Sequence, residues 1–99
     1  MAYDPGAIDA ALAAAVGNDA ALIAELRAAF IDSADRYADA LGRSRCDANW
    51  QQAACRLKGL AASFGAIGLM QLADVAGEGA PGDPVILRDI RHAIGEIAR

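Results

Sequence analysis

Large and β-favouring side chains are scarce in this chain. Only 5% of its 99 residues are aromatic, and half-buried strands depend on the Val, Ile, Thr and aromatic residues that fit a pleated surface. A sheet is therefore a poor expectation. Two cysteines, Cys46 and Cys55, make neither a disulfide framework nor a metal set. With one histidine and no CxxC pair, neither a structural zinc site nor any other metal or cofactor is expected. No apolar run is long enough to span a bilayer, because Asp, Glu and Arg interrupt the alanine-rich stretches. The N-terminus has Asp4 and no leading Lys/Arg cluster, so it does not read as a secretory signal, and a cytoplasmic protein is expected. Basic residues are few and scattered, with a mild excess from Arg43 to Lys58 and from Arg88 to Arg99. The net charge of −4 argues against a nucleic-acid partner, which would demand clustered Lys and Arg.

What is abundant is alanine, at 26 positions. Alanine is the best helix former and adds little volume, which points to helices packed closely together. The length fits one domain over residues 1–99 with a single apolar core.

The local signals divide the chain into one short helix and four longer ones. Asp4-Pro5 has the form of a cap followed by proline at the first helical position, and Ile8, Leu12, Ala15 and Val16 follow at helical spacing up to Gly17. Asn18 and Asp19 can cap a second helix with the stripe Leu22, Leu26, Phe30, Ser33, Tyr37 and Leu41, ending at Gly42. Arg43 to Cys46 reads as a polar connection. Asp47 is the next expected cap, and Trp50, Ala53, Ala54, Leu57, Leu60, Ala61 and Phe64 form a one-sided pattern before a break at Gly65. A further helix carries Ala66, Leu69, Met70, Leu72, Ala73 and Ala76, and Gly77 to Gly82 is loop by composition. Asp83-Pro84 repeats the cap-proline signal ahead of Ile86, Ile90, Ile94 and Ile97. Short connections make neighbouring helices antiparallel, so the expected fold is all-α: an up-down-up-down four-helix bundle with a short extra N-terminal helix.

One segment carries more than fold information. On the helix containing Trp50 and Leu57, Cys55 falls nearly opposite the apolar stripe, on the face turned to solvent. Gly59 and Ala62 follow it on that face, flanked by Gln51 and Lys58. An exposed free cysteine is unusual. Glycine inside a helix costs roughly 1 kcal/mol relative to alanine, so a surface glycine here suggests close approach by another molecule. Read blandly, this is an alanine-rich helix with a stray glycine and cysteine and an ordinary exposed lysine.

The run Cys55-Arg56-Leu57-Lys58-Gly59-Leu60-Ala61-Ala62-Ser63-Phe64-Gly65-Ala66, with Leu69 after it, resembles the signature of histidine-containing phosphotransfer (HPt) domains. That signature is His, any residue, Leu, Lys, Gly, a small-residue stretch, Gly-Ala and a downstream Leu. Leu57-Lys58-Gly59 and Gly65-Ala66 match in identity and spacing, and the helix order matches over the whole chain. The resemblance implies a two-component signalling module that carries phosphoryl groups between receiver domains on an exposed imidazole. Lys58 would offset phosphoryl charge, Gly59 would admit the receiver, and Ala62 would be part of the docking surface.

Two positions depart from the pattern. Cysteine stands at position 55, where the acceptor histidine belongs, and Ala76-Gly77 replaces a common Leu-Glu. The expectation is therefore a non-enzymatic phosphorelay module that docks on receiver domains, or on a histidine kinase, through Gln51, Cys55, Lys58, Gly59 and Ala62 without taking phosphate. A monomer with no nucleic-acid or membrane partner is expected. The alternatives are a competent HPt protein whose histidine was changed to cysteine, a thiol-based redox sensor built on exposed Cys55, and a helical interaction module unconnected to phosphorelay. His92, the only histidine, projects from the last helix near Arg88 and Arg99 and lacks the Leu-Lys-Gly context of an acceptor.

Overall fold

The computed structural model describes the backbone of residues 5–99 and the side chains from Ile8 onward. The described residues form helices and turns with no strand. The helices are α1 (Pro5–Val16), α2 (Ala20–Arg43), α3 (Asp47–Ser63), α4 (Ile67–Glu78) and α5 (Pro84–Ala98). Asp4, the expected cap of α1, lies outside the described residues.

The helix ends follow from local chemistry. Gly17 takes φ +82° after α1, a left-handed conformation that costs glycine little. The Asp19 carboxylate accepts the Leu22 N–H at 3.1 Å and starts α2. At the α3–α4 corner Gly65 sits at φ +72°. There the Ala66 N–H donates to the Ala61 carbonyl at 2.9 Å and the Gly65 N–H to Ala62 at 3.2 Å, the two crossed bonds of a Schellman motif. Ala66 is fully buried behind that turn. The Asp83 carboxylate accepts the Val85 and Ile86 N–H groups at the start of α5, with Pro84 at the first position.

Three boundaries differ from the sequence reading. Cys46, not Asp47, is the N-cap of α3 and its side chain caps nothing, while Asp47 lies in the first turn. A carboxylate in the first turn still favours the helix electrostatically, so the helix gains one residue with little cost. The fourth helix continues through Gly77 and Glu78, and the loop begins at Gly79. Packing of Ala73 and Ala76 into the core holds that last turn despite the glycine. Arg43, read as loop, completes α2, and Ser44 behind it is buried with its hydroxyl on the Ala40 carbonyl at 2.9 Å.

α2 packs against α3 and α5, α4 closes against α3 and α5, and α1 lies on α2. The core between them is lined by Phe30, Leu41, Trp50, Leu57, Leu69, Ile90 and Ile97. Alanines at 34, 38, 53, 54, 61, 73 and 76 fill the rest and let the helix axes approach. The α5 stripe is buried throughout, as its spacing predicts.

The α2 stripe is not. Its buried line is Phe30, Ala34, Ala38 and Leu41, whereas Leu22 is exposed and Leu26, Ser33 and Tyr37 are only partly covered. α2 has 24 residues and α3 has 17, so its N-terminal turns meet α1 and the end of α5. Ala15 of α1 is likewise exposed. Leu60 and Phe64 are partly rather than fully buried, and the Phe64 ring lies 4.8 Å from that of Phe30.

Polar contacts tie the helices at their margins. The Arg27 guanidinium donates to the Ile97 carbonyl and lies 3.7 Å from Asp9, joining α1, α2 and the end of α5. Arg91 meets Asp39 at 2.9 Å between α5 and α2. The Trp50 indole N–H donates to the Ala76 carbonyl at 2.6 Å, spanning α3 and α4 inside the core.

Candidate functional site

The outward face of α3 has the composition that its spacing suggests. Gln51, Cys55, the adjacent pair Lys58-Gly59 and Ala62 follow one another at three- to four-residue steps, and all five are exposed. The buried residues of the helix, from Trp50 to Ala61, occupy the other side. Cys55 carries a free thiol. A Cβ built on Gly59 would meet nothing within 4 Å. Packing within the domain therefore does not require glycine there, and the backbone at that position is open to an incoming surface. The Gly59 carbonyl accepts the Ser63 hydroxyl at 2.9 Å, which leaves the face itself uncovered.

The two matching elements of the motif differ in physical content. Gly65-Ala66 is accounted for by the α3–α4 turn: a left-handed glycine, then a buried alanine. That pair would be needed in any tight corner of this kind. Gly59 has no such structural duty.

Lys58 is not free. Its ammonium donates to the Asp74 carboxylate of α4 at 2.8 Å, with both side chains about half exposed. The hydrogen bond that Lys58 donates to Asp74, and then the charge of Asp74, raise the Lys58 pKa above the ordinary 10.5, with smaller contributions in the same direction from Cys55 and Glu78. Gln51, Cys55 and Lys58 thus form one bank of a shallow groove whose other bank is Asp74, Gly77 and Glu78. Neither carboxylate stands out in the sequence. They lie four apart on α4, and nothing in the sequence alone sets the register that brings them opposite Lys58.

Small residues line the floor of this groove. Gly77 comes close enough to α3 that an added Cβ would lie 3.9 Å from the Ala54 Cβ. Together with the Trp50–Ala76 hydrogen bond, this makes Ala76-Gly77 the point where the end of α4 is drawn against α3. These two residues have that packing role here.

The groove offers a thiol, an ion-paired lysine and two carboxylates, with no imidazole beside Cys55. His92 lies on α5, which packs on α2 and α4. It is highly exposed, 3.6 Å from Glu96. Cys46 and Cys55 are separated along α3 by about 13 Å at 1.5 Å per residue, beyond the reach of a disulfide without unwinding. Among the described residues no cluster of His, Cys, Asp and Glu is arranged to hold a metal ion. No described helix is long and apolar enough to cross a membrane. In comparison with known proteins, no family, no curated protein and no solved structure matches this chain.

Proposed function

We propose that the chain is an HPt-like docking module of a phosphorelay, which binds a receiver domain or a histidine kinase through the outer face of α3 and takes up no phosphoryl group. In this reading α2 to α5 form an up-down-up-down four-helix bundle, α1 is an added N-terminal helix, and the protein acts in the cytoplasm as a monomer by competition, sequestration or scaffolding. The observation that carries it is Gly59: an exposed mid-helix glycine with open space above it, one residue from Lys58 and one turn from Cys55. Glycine weakens the helix at such a place, and admitting a partner's surface to the backbone accounts for it.

The thiol at position 55 supports a role without phosphate. Phosphoryl exchange with an aspartate requires the acceptor atom to sit within a narrow reach and orientation. Cysteine is shorter than histidine, and Cys55 shares its groove with the carboxylates of Asp74 and Glu78.

Titration calorimetry against a panel of purified receiver domains tests the surface. Binding by the parent is expected, with Gly59→Gln abolishing it by bulk and Lys58→Glu weakening it, while circular dichroism stays unchanged. Incubation with a phosphorylated receiver should leave the protein unlabelled. Cys55→His should gain acid-labile label, since Lys58 and Gly59 are already in place. Parent-like binding by both surface variants would refute the proposed face. Base-sensitive label on Cys55, or acid-labile label on His92, would refute the non-carrier role.

A further inference from the structure

A second groove lies on the other flank of α3, between its N-terminal half and the C-terminal end of α2. Tyr37 and Arg43 line it from α2, and Asn49, Gln52 and Arg56 from α3. We infer that this groove is an oxyanion site that takes a phosphate group, free or esterified, held by the guanidinium groups of Arg43 and Arg56.

Charge pairing is the first support. The chain has nine basic residues and a net charge of −4, so carboxylates are in excess. Lys58, Arg27, Arg36, Arg88, Arg91 and Arg99 each lie within 3.7 Å of one. Among the described residues, Arg43, Arg45 and Arg56 meet none, and two of these three line the same groove. No Asp or Glu contributes to its walls. The α3–α4 groove differs in this respect, because Asp74 already neutralises its cation.

The neutral lining suits the same ligand class. Asn49 and Gln52 each bring an amide N–H₂ and Tyr37 a phenol, all able to donate to phosphate oxygens. Ser44 also borders the groove, but its hydroxyl proton is committed to the Ala40 carbonyl. Arginine keeps its charge at any physiological pH, and its planar fork matches two phosphate oxygens at once. The groove encloses about 260 Å³. That falls below the roughly 300–1,000 Å³ typical of sites that enclose a drug-sized ligand. It accommodates a phosphate group and the atoms next to it, not a whole nucleotide.

The groove is separate from the Gln51–Lys58 flank, so this inference does not depend on the proposed docking role. Its test is a titration followed by amide and arginine side-chain resonances, at constant ionic strength set with sodium chloride. Inorganic phosphate and a phosphoserine peptide are the two probes. Saturable shifts confined to Tyr37–Ser44 and Asn49–Arg56 are expected. Arg56→Gln or Arg43→Gln should weaken binding about tenfold each, the effect of losing one charged hydrogen-bond partner. Tighter binding of the peptide would identify a phosphorylated side chain as the ligand, and equal binding a free phosphate. Shifts that grow linearly without saturating, that sodium chloride reproduces, or that persist in the double variant would overturn the site.

Discussion

Leu57 and Gly59 lie two residues apart on α3 and make opposite predictions for the same replacement, alanine. Leu57 is fully buried, in a core where many of the surrounding positions are alanines carried on helical backbone. Alanine has no rotamer with which to fill a void, so the space left by Leu57→Ala persists. Leucine-to-alanine changes in cores cost roughly 2–5 kcal/mol, with the larger values where the site cannot collapse, and a loss of about 3–5 kcal/mol is expected here. A domain of this size has about 5–15 kcal/mol in total, so the variant remains folded but close to its limit. At about 4–8 °C per kcal/mol, the melting temperature should fall by more than 10 °C.

Gly59→Ala adds a methyl group that meets nothing within 4 Å and removes the flexibility of a mid-helix glycine. It should stabilise by about 0.5–1 kcal/mol. Trp50 is the only tryptophan, fully buried, and bonded through its indole N–H to the Ala76 carbonyl. Its fluorescence therefore reports the α3–α4 contact directly. Urea unfolding of the three proteins, followed by that fluorescence and by circular dichroism, gives both free-energy changes. If Leu57→Ala costs less than 1 kcal/mol, or Gly59→Ala destabilises, the assignment of the two faces of α3 is wrong, and the docking proposal fails with it.

Three further outcomes follow from named contacts. Asp83→Ala removes the acceptor for two N–H groups at the start of α5 and should cost about 1 kcal/mol in urea unfolding, as other lost N-caps do. Trp50→Phe removes the donor to Ala76 and part of a buried ring. The hydrogen bond alone should cost about 0.5–1.5 kcal/mol, read by circular dichroism because the fluorophore is gone. Lys58 titrates above 10.5 because of Asp74, so the stabilisation from this pair is fully present below pH 10.5 and is lost as the pH rises through the folded-state value. Asp74→Asn should bring the Lys58 titration, followed by the shifts of its side-chain carbon resonances, back toward 10.5, and an unchanged titration would show that the pair does not form in solution.

Much of this molecule is written in local sequence. Alanine content and the scarcity of strand-forming residues dictate helices, because propensity acts residue by residue without reference to the rest of the chain. Asp19, Asp83-Pro84 and Gly17 mark helix ends because capping and left-handed turns depend only on the nearest few residues. The α5 isoleucines and the solvent face of α3 are legible for the same reason: a helix surrounded by others on one side has one buried stripe, and 3.6-residue periodicity reveals it.

What tertiary structure decided is whatever depends on the register of one helix against another. Leu22 lies at a stripe position yet is exposed, because α2 outruns α3 and its first turns have less to pack against. Gly77 is helical because α4 is drawn against Ala54 and Trp50, a gain that local propensity does not contain. Asp74 reaches Lys58 across 16 positions of sequence, and Arg43 and Arg56 line one groove across a helix boundary. Residue type fixed which charges the chain carries. Only the packing of α2, α3 and α4 decided that one cation is neutralised beside Cys55 while two others face open solvent together.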